Sequence, residues 1–178
     1  STATPFFLTT DAAEGTWDLW FPGQSGCYYT NVNTTKKLWT ALWMPTLNVS
    51  GIDGGITMEY KRDKNQWQGI FTATGAGTIN IQMNGTGKLY DNTSVSGADN
   101  SIDDTKAKDT PFAFSGSANE LTFNTGTNVS AGNITVNVPA AGECTLIIDL
   151  NDPQAWKVEV TEGGSIEPTY PSFLEMQG

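Results

Sequence analysis

The chain has 178 residues, with 19 acidic against 9 basic side chains, a net charge of -10 and no histidine. That length allows one large domain or two small ones, and burial of about two-thirds of the unfolded surface needs no metal or disulfide staple. So acidic a surface repels phosphate backbones and anionic lipid, which disfavours nucleic acid and membrane surfaces as partners and leaves neutral polymers.

The opening stretch alternates at Phe6 and Leu8 and reaches Trp17 and Trp20 beside Gly15 and Pro22, a strand-to-loop transition. Ser1 to Leu8 lacks a basic start followed by an apolar core, so an exported form is expected to have lost its signal before Ser1. No apolar run is long enough for a helix that spans a bilayer. Residues 22–50 break the rhythm with Tyr28, Tyr29, Trp39 and Trp43, and read as an irregular aromatic stretch. Asp53-Gly54-Gly55 reads as a tight reversal, and Trp67 shares a face with Phe71. Ile79, Ile81 and Met83 then face one way, with Thr78, Asn80, Gln82 and Asn84 opposite, and Asn84-Gly85 reads as another reversal. Residues 91–110 are polar and rich in Gly and Asp, and read as a long exposed loop.

Alternation resumes at Leu121 and Phe123, at Ile134, Val136 and Val138, and at Cys144, Leu146, Ile148 and Leu150. Asn151-Asp152-Pro153 turns the chain, Trp156, Val158 and Val160 share one face, and Glu162-Gly163-Gly164 turns it again. Half-buried strands at turn-bounded intervals predict an all-β fold, an antiparallel β-sandwich of immunoglobulin-like or carbohydrate-binding-module-like kind. A faint echo of Thr4-Pro5-Phe6-Phe7-Leu8 in Tyr170-Pro171-Ser172-Phe173-Leu174 divides the chain into a module over 1–166 and a closing strand, or the start of a following module, over 167–178.

Little of this sequence suits catalysis. The missing histidine removes the serine and cysteine nucleophile arrangements and the usual proton carrier near neutral pH. A glycosidase needs only two carboxylates, but Asp11, Glu14, Asp18, Asp53, Glu59 and the Asp91 to Asp109 group show no spacing that sets two across a cleft. No enzyme is expected. Asp99-Asn100-Ser101-Ile102-Asp103-Asp104 offers oxygen ligands for calcium without the ordered spacing of an EF-hand loop, so a solvated acidic loop is favoured and no cofactor is expected. Cys144, on the face of Leu146 and Ile148, reads as a small buried thiol, with a disulfide to Cys27 the weaker alternative. Sequons at Asn33, Asn48, Asn84, Asn92, Asn128 and Asn133 read as unmodified polar surface in a chain rich in Asn and Thr.

The aromatics carry the functional signal. An exposed Trp or Tyr stacks on the C-H face of a sugar ring while neighbouring amides or a lysine bond its hydroxyls. Trp67 and Trp156 read as core. Trp17, Trp20, Trp39, Trp43 and Tyr90 are the candidate stacking surfaces, with Lys88 and Asn92 as their hydrogen-bonding partners.

The run Gly132-Asn133-Ile134-Thr135-Val136, then Pro139-Ala140-Ala141-Gly142-Glu143-Cys144-Thr145-Leu146-Ile147-Ile148-Asp149-Leu150 and Trp156-Lys157-Val158, resembles the closing hairpin of the repeated modules in SusE and SusF, outer-membrane lipoproteins of starch-utilisation systems. Thr74 to Ile81 looks like that family's central turn and strand, and Leu8 to Asp18 like its opening strand and Gly-Trp-Asp loop with one residue inserted. Residues 22–60 are longer and more aromatic than that pattern, and Cys144 stands where an aromatic is usual. The resemblance implies a non-catalytic glycan-binding module on the outer cell surface, held by a lipid anchor outside this chain and working within a polysaccharide-uptake complex. By position, Trp17 matches the family's loop Trp at the sugar site. Two rivals are a structural or adhesive surface sandwich with no sugar site, and a hydrolase lobe with a carboxylate pair.

Overall fold

The computed structural model describes residues 24–33, 35–36, 38–96 and 101–164. The strands run β1 (Cys27–Asn33), β2 (Leu38–Met44), β3 (Asn48–Ser50), β4 (Glu59–Lys61), β5 (Gln66–Ala73), β6 (Gly77–Asp91) and β7 (Val95–Ser96). They continue as β8 (Ser101–Ile102), β9 (Lys108–Ser117), β10 (Glu120–Thr125), β11 (Ile134–Val138), β12 (Gly142–Asp149) and β13 (Lys157–Glu162). The fold is the expected all-β sandwich of antiparallel sheets, with no α-helix among the described residues.

The described residues divide into two compact units, one within Ser1–Leu47, Asn84–Ala113 and Phe123–Ser130, the other within Asn48–Met83, Phe114–Thr122 and Ala131–Gly178. The second unit holds the most regular patterning. Its four-stranded sheet has the order β13-β12-β5-β4, and its other layer pairs β3 and β11 with the first half of β6. Between the layers lie Trp67, Phe71, Ile81, Met83, Ile134, Val136, Cys144, Leu146, Ile148 and Val158, all buried. Each such aliphatic side chain contributes about 1.5–3 kcal/mol on leaving water. Trp156 meets Phe114 edge-on at 6.4 Å, and its carbonyl accepts from the Leu121 amide, which brings Phe114–Thr122 onto this core. Trp67 is therefore core, as expected.

The first unit is built on the β1-β2 hairpin, in register from Cys27↔Met44 to Asn33↔Leu38. β2 pairs with the second half of β6 and that half with β9. This corrects the reading of residues 22–50 as irregular. Leu42 and Met44 are buried on one face of β2, and Trp39 and Ala41 on the other. A strand covered on both faces loses the alternation by which strands are recognised.

Asn84-Gly85 is corrected too: it lies inside the 15-residue β6 and reverses nothing. A Cβ at Gly85 would run into the Phe112 ring and the Thr46 carbonyl, and one at Gly87 into the Trp43 carbonyl. These glycines permit close approach within a strand. Asp53-Gly54-Gly55 and Asn151-Asp152-Pro153 do turn, closed by Gly55 N–H to the Ile52 carbonyl (3.0 Å) and Ala155 N–H to the Asp152 carbonyl (2.9 Å).

The expected loop at 91–110 is largely folded where it is described. It carries the β7-β8 ladder, a 3-10 turn at Asp104–Lys106 capped by Asp103, and the start of β9. Both cysteines are buried, and no disulfide joins Cys27 to Cys144. The tail at 167–178, its echo at Thr4–Leu8 and the opening strand lie outside the described residues.

Candidate functional site

In an antiparallel sheet, directly opposed residues point to the same face and sit next to one another. The first unit's register therefore sets one row of side chains across four strands: Tyr28 opposite Trp43, Trp43 opposite Lys88, and Lys88 opposite Asp109. Tyr28 and Trp43 are half-buried. Their ring edges are held by polar contacts: the Tyr28 hydroxyl donates to the Gln24 carbonyl at 2.8 Å, and Trp43 Nε1–H to the Ser25 carbonyl at 3.2 Å. At the far end Lys88 Nζ lies 2.6 Å from Asp109 Oδ1, with the two side chains 44% and 70% exposed. The row thus offers apolar ring surface beside an ion-paired donor and acceptor.

Beside it on the same face lies a small aromatic core. Trp39, Ala41 and Tyr90 form it, at 7%, 0% and 1% exposure, with Tyr28, Trp43, Ile102 and Ala107 packed against it. Ile102 and Ala107 come from the segment whose composition suggests an open loop, and their apolar side chains pack on these rings. The Tyr90 hydroxyl donates to Asp104 Oδ1 at 2.9 Å, and Gln24 Nε2 donates to the same oxygen at 3.2 Å. Burial, then the negative Asp104, pushes the Tyr90 phenol up to about 12. The same two causes raise Tyr28.

The seven expected site residues therefore separate. Trp43 and Lys88 stand together in the row. Trp39 and Tyr90 are corrected: they are buried and present no face for a sugar. Asn92, half-buried, accepts through its Oδ1 from the Trp39 backbone N–H at 3.2 Å and ties the segment after β6 to β2. Trp17 and Trp20 lie outside the described residues. Sequence reasoning misses Tyr28 and Asp109 as members of the row; only strand register brings them beside Trp43 and Lys88, and the one available signal is the place of Tyr28 in the aromatic stretch.

The acidic residues near this face are already engaged. Asp103 Oδ1 accepts from the Thr105 amide and hydroxyl at 3.1 and 2.6 Å, and Asp104 holds Tyr90 and Gln24. On the opposite face, Asp91 accepts from Thr93 and Lys108. Burial would raise the Asp91 pKa, but these partners together bring it below the usual 3.8. Among the described residues no group of three or more His, Cys, Asp or Glu is disposed to hold a metal ion, and no helix is long and apolar enough to cross a membrane.

Residues 48–164 match the family model described as a domain of unknown function, DUF5114. The chain belongs to that family. Residues 1–44 match a second domain of unknown function, DUF5111. No curated protein and no solved structure matches the chain. The DUF5111 match ends where β2 ends, and β2 pairs directly with β6 of the DUF5114 stretch. Tyr28 and Trp43 come from one match, Lys88 and Asp109 from the other, so the row needs both.

Proposed function

We propose that this DUF5114 protein is a non-catalytic glycan-binding module that holds a neutral polysaccharide on the Tyr28–Trp43–Lys88–Asp109 row. The observation that carries this reading is the half-buried Tyr-Trp pair in register with an exposed Lys-Asp pair. A pyranose presents C-H surface to such rings and hydroxyls to such a donor-acceptor pair. Binding without turnover is supported by the absence of histidine and by carboxylates already committed to Lys88, Thr105 and Tyr90. The resemblance to SusE and SusF supports a place on the outer cell surface within a polysaccharide-uptake system, through a lipid anchor outside this chain.

The test is titration with neutral polysaccharides (starch, xyloglucan, β-glucan and mannan), followed by intrinsic Trp fluorescence. A saturable change with one of them, weakened about 5–150-fold in Trp43→Ala, is expected. Saturable binding that Trp43→Ala leaves intact, or no binding to any neutral glycan, would overturn the assignment.

A further inference from the structure

The charges around the row point to how it selects its ligand, an inference that rests on the glycan-binding reading. Lysine at a sugar site commonly suggests recognition of an acidic sugar, because an ammonium attracts a uronate or sulfate over many ångströms. Here the ammonium is already occupied. Lys88 Nζ sits 2.6 Å from Asp109 Oδ1, on the neighbouring strand and at the directly opposed position. The pairing is built into the register, since β6 and β9 hold the two Cα atoms opposite each other whatever the side chains do.

The segment packed on the same face repeats the pattern. Lys106 Nζ lies 3.9 Å from Asp103 Oδ2, and Asp104 adds a third carboxylate, bonded to Tyr90 and Gln24. In the row and this segment together, Lys88 and Lys106 are outnumbered by Asp103, Asp104 and Asp109, which leaves these groups a formal charge of one negative unit. A uronate arriving there must displace Asp109 from Lys88 while being repelled by Asp103 and Asp104. A neutral sugar does neither, and it can still use Lys88 as donor and Asp109 as acceptor for adjacent hydroxyls.

We propose that Asp109 is a specificity-determining residue, which masks the Lys88 charge so that the row takes neutral glycans and rejects acidic ones. Its role is selection through repulsion as much as attraction. Replacing Asp109 by the isosteric amide leaves Lys88 its donors and frees its charge. The site would then gain acidic ligands it normally refuses.

The experiment uses the whole chain and two probes: polygalacturonate, and whichever neutral polysaccharide of the panel above gives the largest response. Asp109→Asn is compared with wild type and with the double variant Asp109→Asn/Lys88→Gln, and circular dichroism confirms folding of each. The ratio of polygalacturonate to neutral affinity is expected to rise about fivefold in Asp109→Asn, the scale of an exposed charge pair. That gain should shrink as salt shortens the screening length below about 10 Å, and should vanish in the double variant. Wild type that binds polygalacturonate as well as the neutral polymer would overturn the inference alone, as would an unchanged ratio in Asp109→Asn. Wild type that binds no neutral polymer would take down the reading beneath it as well.

Discussion

Each unit carries a sheet face that bears polar side chains, and the two faces differ in kind. In the second unit Thr78, Asn80 and Gln82 of β6 lie in register with Asn137, Thr135 and, one residue before β11, Asn133. The side chains bond one another: Thr135 Oγ1–H donates to Asn80 Oδ1, and Gln82 Nε2–H to Asn133 Oδ1, both at 2.7 Å. This field carries no charge and no aromatic ring. In the first unit the Tyr28–Trp43–Lys88–Asp109 row has both. Hydroxyls and amides exchange one partner for another with little net gain in water. An amide ladder therefore has the vocabulary for sugar recognition without a driving force, whereas a half-buried ring pair still has apolar area left to remove from water. A face rich in Asn and Thr is no site by virtue of composition.

The largest effect that sharpens this contrast separates two tryptophans on one strand. Trp39 is buried in the aromatic core and Trp43 stands at its margin. Trp39→Ala should cost about 3–5 kcal/mol of stability by chemical denaturation. Trp43→Ala should lose less stability, and about 1–3 kcal/mol of glycan binding by titration. Equal losses of stability would mean that the row is merely more core.

Next comes the polar contact over that core. A phenol raised to about 12 stays protonated in the folded chain while the unfolded chain, with the ordinary value of 10.0, releases its proton. Tyr90 therefore leaves stability untouched below pH 10, and weakens it progressively as pH climbs from there toward about 12. The whole decline amounts to at most about 3 kcal/mol. Denaturation midpoints of Tyr90→Phe should be lower than wild type near neutrality, through loss of the Asp104 bond, yet flatter over that alkaline window.

The smallest effect belongs to the ladder. Asn80→Ala or Gln82→Ala should shift stability by about 0.5 kcal/mol or less and leave glycan affinity where it was. A clear loss of binding in either variant would move the site to the second unit.

How much of this was readable beforehand follows from what covers each strand. β11, β12 and β13 were legible because one face meets water, so Ile134, Val136 and Val138 alternate cleanly with Thr135 and Asn137. β1 and β2 were not, because Leu42 and Trp39 are buried on opposite faces and blur the period. Asn84-Gly85 has the composition of a turn, but Phe112 packs where a Cβ would sit. Residue chemistry alone singled out Trp43 and Lys88. It could not tell Trp43 from Trp39, since the burial of Trp39 depends on Ile102 and Ala107, distant in sequence. Asp109 needed register, which no local pattern contains.

The central claim is that Trp43 belongs to a working sugar surface. It is tested most directly by calorimetric titration of wild type and Trp43→Ala, side by side, with the same neutral polysaccharides. Saturable heat in wild type, reduced about 5–150-fold in affinity in a variant that still folds, is the predicted result. Matching isotherms for the two proteins, or none for wild type with any of them, would contradict it.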